Sequence, residues 1–482
     1  MVGKLKLLTN SLSLLVNRLV QSITSFVLMA SIARILGPNE LGRYILGFSY
    51  YYIFMVIASQ GLKTLLTRDL SRKPEEMPVY LVNGTLLQIL LSIIAYILLV
   101  IWVFLLPYNS DTSITCYIIG LTIIPFSLSN ITEALFQAQE KMNMISISTV
   151  PVYVLRLLVM IWFMQMHYGV NYLAVILVVS EILVLAIEWI LLTRVIKPKW
   201  QIRKDYIWQL FNHARTFVLI NAIGVISSRM SILIISLVGS ELMVGLYGVI
   251  GQLMLPFTII CDSVCMASFP SMTKAVSQER GKFNQITETV IEMLLCMALP
   301  LIVVIFFLGS DLIKLIYEDP SFIQVNPVLK VSCLSLIIYP FTQTFFYVLL
   351  ANGLEKFNLI EVVATNIVGA LSGVIFISQY KLMGAAFMSL AMGFTTFSLL
   401  TYSVYKNLFP LRLWRTIPRP LLITLGMILV FLTLQKFTLD FRLILLIVFC
   451  SYCLFASCLA IQKFGGIQAV WLRLFSRSSH KI

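Results

Sequence analysis

The sequence feature that most limits the fold is a series of fourteen apolar segments, each about as long as a membrane is thick. Crossing the hydrocarbon layer takes ~20 residues of α-helix, and windows of ~19 residues detect such segments. Because every backbone amide in hydrocarbon needs an internal partner, and no alternating barrel-type pattern occurs, the segments are predicted to be helices. They lie near residues 11–36, 43–66, 79–106, 114–137, 143–166, 170–193, 214–238, 243–268, 287–309, 325–351, 358–379, 383–405, 418–435 and 441–461.

Composition supports a membrane protein and excludes several other classes. Of the 482 residues, 59% are hydrophobic and 12% are charged, whereas soluble globular chains carry ~25% charged residues. A water-soluble enzyme, a disordered chain and a nucleic-acid-binding protein are therefore excluded. Nearly all of the eight cysteines fall inside apolar runs without a neighbouring cluster of His or carboxylate residues. Neither a metal site nor a redox site is predicted.

The distribution of Lys and Arg predicts the orientation of the helices. With the N-terminus in the cytoplasm, 24 basic residues fall in inside segments and about six fall at outside edges. The inside segments include residues 68–73, 194–215, 274–282, 406–419 and the tail 463–481. A missed or additional helix would scramble this alternation. We therefore expect fourteen spans with both termini in the cytoplasm.

Two short internal matches indicate a duplicated unit. Residues 140–145 (EKMNMI) align with residues 355–360 (EKFNLI), 215 positions later, and residues 37–44 resemble residues 239–247 at an offset of roughly 202. Each match joins equivalent loops of a six-span unit. Because six is even, both halves enter the membrane in the same direction, as parallel repeats related by an axis along the membrane normal. Such halves usually surround a central cleft that opens alternately to each side.

The predicted organisation is all-α and polytopic. It has an N-terminal lobe of six helices at residues 1–199, a C-terminal lobe of six helices at residues 200–410, and two further helices with a basic cytoplasmic tail at residues 411–482. A duplication without a transport function is the alternative interpretation of the repeat.

Basic residues lie inside several of the predicted spans, where each costs ~2.5–3.5 kcal/mol on insertion scales unless it reaches a partner or water. Arg18 lies in span 1, Arg156 near the middle of span 5, and Arg229 in the middle third of span 7. All three are therefore predicted to face protein or a wet cavity. Lys63, near the end of span 2, either faces the same cavity or reaches the cytoplasmic surface with its long side chain. Arg18 could likewise reach the inner membrane interface with its long side chain.

The same charges also have structural explanations. Arg156 and Glu181 are on adjacent spans and could neutralise each other. Asp262, on the span after Arg229, is the natural partner of that arginine. Glu181 and Asp262 could instead carry H⁺ or Na⁺, so ion coupling stays open, and no other cofactor is predicted.

Arginines around a water-filled cleft favour an anionic substrate, because a planar guanidinium makes paired hydrogen bonds to phosphate. Polar and aromatic side chains occur in the same spans, among them Asn17 and Gln21 in span 1 and Tyr50, Tyr51 and Tyr52 in span 2. They could bind sugars, or they could join helices, which is the commoner use of polar residues in membranes. No nucleophile–base arrangement is visible, so neither an enzyme activity nor a catalytic residue is predicted.

A short motif occurs at residues 34–44, RILGPNELGRY. It resembles the R-x-L-G-x-x-x-x-G-x-Y signature of bacterial polysaccharide flippases, the Wzx-type O-antigen and capsule exporters of the multidrug/oligosaccharidyl-lipid/polysaccharide (MOP) superfamily. Gly61-Leu62, Phe269-Pro270 and the Glu-Lys-x-Asn loops after spans 4 and 10 are similar to that family too.

The resemblance implies a V-shaped fold of two six-helix lobes with two extra C-terminal helices. It implies a multi-pass protein of the bacterial cytoplasmic (inner) membrane that flips an undecaprenyl-pyrophosphate-linked oligosaccharide to the periplasmic leaflet by alternating access. O-antigen (lipopolysaccharide), capsule or exopolysaccharide synthesis would use the product. Cationic cavities are typical of the family, which fits substrate-binding roles for Arg18, Lys63, Arg156 and Arg229.

The resemblance also bears on partners and on the substrate. The implied partners are the lipid-linked oligosaccharide, the bilayer and, within a larger assembly, polysaccharide polymerase and chain-length proteins. Flippases for the peptidoglycan precursor typically have Asp after the arginine of the first helix. Here Leu19 follows Arg18, which argues against that particular substrate.

Two other functions are compatible with the sequence. An ion-coupled exporter of small molecules on the same fold predicts an acidic cavity. A membrane polysaccharide polymerase or glycosyltransferase predicts a sizeable outer loop or an acidic catalytic pair near the outer surface. The longest outside segment, residues 309–326, is under twenty residues long and contains Asp311, Glu318 and Asp319.

Overall fold

The computed structural model describes residues 2–59, 61–278, 280–408, 416–436 and 441–464. Within these ranges the chain is helical and contains no β-strand. Two short 3₁₀ helices, Pro74–Glu76 and Pro320–Val325, join neighbouring α-helices. The α-helices are α1 (Val2–Ile35), α2 (Gly37–Ser59), α3 (Leu62–Arg72), α4 (Met77–Phe104), α5 (Ser110–Leu121), α6 (Ile123–Ala138), α7 (Met142–Gln165), α8 (Val170–Thr193), α9 (Lys204–Val238), α10 (Glu241–Gln278), α11 (Arg280–Tyr317), α12 (Asn326–Ser332), α13 (Ser335–Ala351), α14 (Glu355–Asn407), α15 (Pro418–Leu434) and α16 (Phe441–Phe464).

Helix length and hydropathy give the fourteen membrane crossings that the sequence predicts. Nine helical segments of the described chain are long and apolar enough to cross, and Pro320–Ser332 with Ser335–Ala351 forms a tenth that bends by 50°. One of the nine, α14, contains two crossings, because Lys381 leaves helical geometry at φ 52° and ψ −125°. Three shorter apolar helices complete the set, at Ala222–Val238, Pro418–Leu434 and Leu443–Phe455. The all-α, fourteen-span prediction is confirmed.

Several helices extend beyond the apolar segments that identify them. α9 begins at Lys204, inside a stretch expected to be a basic loop, and α11 runs over Arg280–Tyr317 rather than over 287–309. The described part of the predicted inside segment 274–282 is helical too. The reason is physical, because hydropathy marks where the lipid ends, whereas a helix continues for as long as its backbone hydrogen bonds continue.

By its internal packing the chain divides into two compact units. Unit 1 contains residues 1–249 with the short segments 316–322 and 373–385, and unit 2 contains residues 250–315, 323–372 and 386–482. The lobe boundaries near residues 199 and 410 stay a prediction. The basic tail beyond Phe464 lies outside the described residues.

In unit 1 the helices pack around α2. This helix contacts α4, α5 and α9, while α1 lies along α7, and α6 packs against α3, α4 and α8. Towards the predicted cytoplasmic end, Leu66, Leu81, Phe136 and Leu192 join α3, α4, α6 and α8 in a cluster without solvent exposure. Close packing of this kind drives helix association in a membrane, where the surrounding lipid is as apolar as the core.

The turns after equivalent spans have the same backbone geometry, which supports the predicted duplication. After span 4, Glu140 has φ 55°, and after span 10, Gly353 has φ 70°. In both turns the amide N–H of the next residue donates to the carbonyl oxygen five residues back, at 2.9 Å. Both are Schellman motifs, in which a left-handed residue ends the helix. Glu140 and Gly353 are 213 residues apart. This offset is two residues shorter than the offset of 215 in the sequence match.

Two glycines let the repeat-related segments 37–44 and 239–247 approach closely within unit 1. Gly42 of α2 lies against the backbone carbonyl of Glu241, and Gly245 of α10 lies against the backbone carbonyl of Pro38. A Cβ on either glycine would overlap the facing carbonyl group. The same offset of 203 relates Pro38 to Glu241 and Gly42 to Gly245. Exchanging the two segments turns the contact of Gly42 with Glu241 into the contact of Gly245 with Pro38. The contact therefore has approximate local twofold symmetry.

In unit 2 the last two helices pack on α11. The ring of Phe431 on α15 stacks on the ring of Phe307 on α11, with centroids 5.0 Å apart and 7° between the ring planes. Beside these rings, Val303 of α11, Met427 of α15 and Val448 of α16 form a buried cluster. The two helices that the predicted repeat does not include therefore pack against α11 in this unit.

Candidate functional site

Helix α2 presents an aromatic face inside unit 1. Tyr44, Phe48, Tyr51 and Tyr52 are spaced so that they fall on one side of the helix. The centroids of neighbouring rings are 4.8 Å apart for Tyr44 and Phe48, 5.7 Å for Phe48 and Tyr51, and 5.2 Å for Tyr51 and Tyr52. Tyr44 and Tyr51 are buried, whereas Tyr52 is 41% exposed. The face therefore leads from the packed interior to an accessible ring.

Arg229 of α9 lies over this accessible ring. Its guanidinium carbon is 4.5 Å from the centroid of the Tyr52 ring, which is a cation–π contact. Its Nε atom is buried and has no hydrogen-bond partner among the described residues. The ion pairs within the described part of unit 1 do not include it. Among the described residues of its unit, Arg229 therefore has no carboxylate that pairs with its charge and no acceptor for its Nε–H group.

Arg156 of α7 is neutralised by Glu181 of α8. An Nη atom of Arg156 donates to the carboxylate of Glu181 at 2.7 Å, and the two side chains are 14% and 6% exposed. The second carboxylate oxygen of Glu181 is buried and has no hydrogen-bond partner among the described residues. Sequence reasoning missed Tyr153, whose ring centroid is 4.5 Å from the guanidinium carbon. The sequence signal for this contact was the spacing of three residues between Tyr153 and Arg156, which places both side chains on the same face of a helix.

Lys63 of α3 forms an ion pair with Glu133 of α6, and their side chains are 33% and 18% exposed. Gly61 marks the break between α2 and α3, with the left-handed φ of 72° that a side chain disfavours. The charge of Lys63 is therefore compensated inside the unit. Whether Lys63 faces the cavity or reaches the cytoplasmic surface stays a prediction.

Arg18 of α1 is exposed, and no ion pair joins it to a described residue of unit 1. The adjacent residue holds α1 against α7, because the hydroxyl of Thr149 donates to the side-chain oxygen of Asn17 at 2.9 Å. The hydroxyl of Ser146 also donates to the carbonyl of Ser13 at 2.7 Å. Arg18 thus lies on a helix with a fixed position while its own side chain stays accessible.

Asp262 belongs to unit 2, where it accepts a hydrogen bond from the hydroxyl of Tyr339 at 3.0 Å. The same hydroxyl accepts from the side-chain amide of Gln343 at 3.0 Å. Asp262 is exposed. Its pairing with Arg229 and its role in ion coupling stay predictions.

Tyr108, in the loop between α4 and α5, is a second residue that sequence reasoning missed. Its hydroxyl oxygen is 2.7 Å from that of Tyr50 and 2.8 Å from that of Ser236. Nearby, the hydroxyl of Thr112 donates to the carboxylate of Glu241 at 2.5 Å. Burial raises the pKa of Tyr108 above its ordinary value, so the phenol keeps its proton for these bonds. Loop residues follow no hydrophobic period, so the sequence contains no signal for this contact.

Comparison with known proteins places the chain in a family. Residues 31–320 match a family model described as polysaccharide biosynthesis protein. A search of curated protein sequences finds no match.

Solved structures show the same fold at low sequence identity. The lipid II flippase MurJ, in an inward closed conformation, has a TM-score of 0.75 and 16% identity, and the match covers 94% of this chain and 98% of that chain. An inward-facing multidrug resistance MATE family transporter has a TM-score of 0.65 and 12% identity, with 80% and 94% covered. A MOP superfamily transporter from Pyrococcus furiosus, described as having a binding pocket of reverse polarity, has a TM-score of 0.58 and 12% identity, with 83% and 94% covered.

The resemblance found in the sequence is thereby confirmed at the level of family and fold. Because the matching family model covers more than half of the chain, this protein belongs to the polysaccharide biosynthesis protein family, and it has the fold of the MOP superfamily transporters.

Proposed function

We propose that this protein is a flippase for an undecaprenyl-pyrophosphate-linked oligosaccharide, which it moves from the cytoplasmic to the periplasmic leaflet of the bacterial inner membrane. Family membership supports a role in polysaccharide biosynthesis, and the fold supports a transport mechanism. The basic residues on one side of the spans support an orientation with both termini in the cytoplasm.

The observation that carries the proposal is the uncompensated guanidinium of Arg229 beside the exposed ring of Tyr52. A cation inside a membrane protein costs free energy unless an anion or water compensates it. Pyrophosphate suits this position, because the planar guanidinium matches phosphate oxygens with parallel hydrogen bonds. The ring and hydroxyl of Tyr52 offer an apolar surface and a hydrogen-bonding group to the first sugar.

The other three predicted cations take different roles in this proposal. Arg156 and Lys63 are compensated by Glu181 and Glu133, so they attract an anion less strongly than an unpaired guanidinium does. Either could bind the substrate after its carboxylate partner moves or gains a proton. Arg18 is accessible and has no ion pair within the described part of its unit, so it is the second candidate ligand for the phosphates.

A flippase provides what the lipid bilayer lacks for such a substrate. Moving a glycan through hydrocarbon breaks the hydrogen bonds between its hydroxyl groups and water, at several kcal/mol for each unpaired group. A hydrated path lined by polar side chains keeps those bonds, while the prenyl tail stays in the lipid. No covalent step is needed.

The test replaces Arg229 and compares the result with a matched arginine at the surface. R229Q removes the charge, whereas R229K keeps the charge and loses the planar donor fork. The control is R68Q, because Arg68 is exposed and, among the described residues, its ion pair is with its neighbour Asp69. Proteoliposomes that contain a fluorescent undecaprenyl-pyrophosphate oligosaccharide in one leaflet report both binding and translocation.

We expect R229Q to weaken binding and slow translocation by about tenfold to 150-fold, since a hydrogen bond to a charged group contributes about 1.5–3 kcal/mol. R229K should fall between R229Q and the unchanged protein, and R68Q should behave as the unchanged protein does. Full translocation by well-folded R229Q would refute the role of Arg229. Export of small cations with no movement of the lipid would favour the exporter instead.

The enzyme alternative has less support from the outer segment. Glu318, one of its candidate acidic residues, pairs with Arg34 at 3.2 Å, and Arg34 also donates to the carbonyl of Ile316 at 2.5 Å. The same proteoliposomes distinguish this function, because a polymerase or glycosyltransferase would change the mass of the oligosaccharide whereas a flippase would return it unaltered.

A further inference from the structure

Glu188 of α8 is a buried carboxyl group that the proposed transport of the lipid does not use. The residue has no solvent exposure. Its two oxygen atoms meet two hydroxyl groups from different helices. The Oε2 atom is 2.5 Å from Oγ1 of Thr132 on α6, and the Oε1 atom is 3.2 Å from Oγ of Ser148 on α7.

Each of these hydroxyl groups has a second acceptor in its own helix. Oγ1 of Thr132 is 2.8 Å from the carbonyl oxygen of Ser129, and Oγ of Ser148 is 2.8 Å from the carbonyl oxygen of Ile145. A hydroxyl group has one proton to donate and accepts through its lone pairs. Both hydroxyls therefore choose between the carboxyl group and a helix carbonyl.

This choice lets the site satisfy two protonation states of Glu188 without moving a helix. When Glu188 is ionised, both hydroxyls turn and donate to its two oxygens. When Glu188 carries a proton, its O–H donates to Thr132, whose own proton turns to the carbonyl of Ser129. Every polar hydrogen of the site has an acceptor in each protonation state. Rotation of the two hydroxyl groups therefore avoids the free-energy cost of leaving a buried polar group unpaired.

The charges around Glu188 leave its carboxylate without a dedicated cation. Glu133 of α6 and Lys63 of α3 act electrostatically on Glu188, and Glu188 acts on Tyr153 of α7. Lys63 is paired with Glu133, and Arg156 of α7 is paired with Glu181, the other acidic residue of α8. The charged residues of α2 and α5, which also contact α8, are Glu40, Arg43 and Asp111, and Arg43 pairs with both acidic residues. A buried carboxylate in such surroundings is stable only with strong hydrogen-bond donors or with a proton.

We propose that Glu188 is a proton-binding site of this protein, at which one proton is taken from water and released to water during the transport cycle. The acid dissociates as Glu–COOH to Glu–COO⁻ and H⁺, and Thr132 and Ser148 then donate to the ion. Glu133, whose side chain is 18% exposed, is the group through which the proton passes between water and Glu188. A metal ion fits less well, because no group of three or more His, Cys, Asp or Glu residues occurs in the described chain.

The first measurement is of the proton itself and does not depend on the transported substrate. Infrared spectra of the full-length protein in nanodiscs report the C=O stretch of protonated carboxyl groups over a pH titration. The variants are E188Q, which keeps the shape of the side chain but cannot ionise, and T132V, which removes the hydroxyl partner of Oε2. The control is E292Q, because Glu292 is bound by Arg419 at 2.9 Å in unit 2.

We expect E188Q to lack one titrating carboxyl band, T132V to shift the pH at which that band disappears, and E292Q to retain the band unchanged. Thermal unfolding over the same pH range should show stability that depends on pH in the unchanged protein and less so in E188Q. The same carboxyl band and the same pH dependence in E188Q would overturn the proposal.

The second measurement rests on the proposed function and asks whether the proton is coupled to transport. One titrating proton changes a rate by at most about tenfold per pH unit. We expect the translocation of the lipid-linked oligosaccharide to depend on pH in the unchanged protein and to lose that dependence in E188Q, while binding of the lipid persists. If neither the unchanged protein nor E188Q moves the lipid, the proposed function fails. The infrared titration then still decides whether Glu188 binds a proton. If E188Q translocates with unaltered pH dependence, the coupling is refuted.

Discussion

Arg156 and Glu181 form a buried ion pair whose contribution to stability can be separated from a contribution to transport. The paired atoms are 2.7 Å apart, and the two side chains are 14% and 6% exposed. Two unit charges this close attract each other by roughly 6 kcal/mol at an effective dielectric constant of about 20. Desolvation offsets most of that attraction, so replacing both residues by apolar ones is close to neutral, whereas removing one leaves a buried charge and costs about 3–5 kcal/mol.

Thermal unfolding in a single detergent measures these differences for R156M, E181L and the double variant. A change of 1 kcal/mol shifts Tm by about 2–4 °C in domains of 150–250 residues. We therefore expect each single variant to unfold about 6–20 °C below the unchanged protein. The double variant should unfold within a few degrees of it, because it leaves no uncompensated charge at positions 156 and 181.

The comparison with transport gives the result that would refute this reasoning. If R156M unfolds at the temperature of the unchanged protein, the buried charge of Glu181 does not need compensation by Arg156. The ion pair then does not contribute to stability as argued. If the double variant is stable but no longer translocates the lipid, the predicted substrate-binding role of Arg156 gains support. A double variant that is stable and translocates at the full rate contradicts that role.

Two further predictions concern the predicted outer end of unit 1, and thermal unfolding measures both. Gly42→Ala and Gly245→Ala should each cost about 1–3 kcal/mol, because the new Cβ overlaps a facing carbonyl group. Gly224→Ala is the control, since no described atom beyond its own stretch of helix lies within 4 Å of its added Cβ; equal stability of the three variants would contradict the prediction. Tyr108→Phe should cost about 1–2 kcal/mol, because it removes a hydroxyl bonded to two neighbouring hydroxyls. An unchanged Tm would show that these bonds are replaced by water.

Much of the fold could be predicted because a membrane constrains a sequence strongly. A hydrocarbon layer requires about twenty apolar residues per crossing, whereas the direction of each crossing, inferred from the basic loops, stays a prediction. Helix ends were less predictable. α11 extends to Tyr317, since a helix in water needs no apolar residues to keep its backbone bonds. The break inside α14 takes place at Lys381, a residue type that does not indicate a turn, and Gly384, which packs against the carbonyl of Phe376 across the break, lies three residues later.

The candidate site could be predicted only where partners lie on adjacent spans. Arg156 and Glu181 occupy similar depths in spans 5 and 6, so their pairing follows from the topology. Lys63 and Glu133 lie on spans 2 and 4, and the sequence does not say which helices that are distant along the chain touch. Glu188 is recognised as a site only through the hydroxyls of Thr132 and Ser148, and those hydroxyls come from two other helices.

The closest contact between repeat-related segments adds a physical reason for their similarity. Gly42 faces the carbonyl of Glu241 and Gly245 faces the carbonyl of Pro38, so each segment provides both a small residue and the backbone that fills the space above it. A side chain added at only one glycine would separate the segments at one point and weaken the matching contact as well. Glycine at both equivalent positions, 42 and 245, is therefore what close packing of the two segments requires, in addition to what a duplication would leave behind.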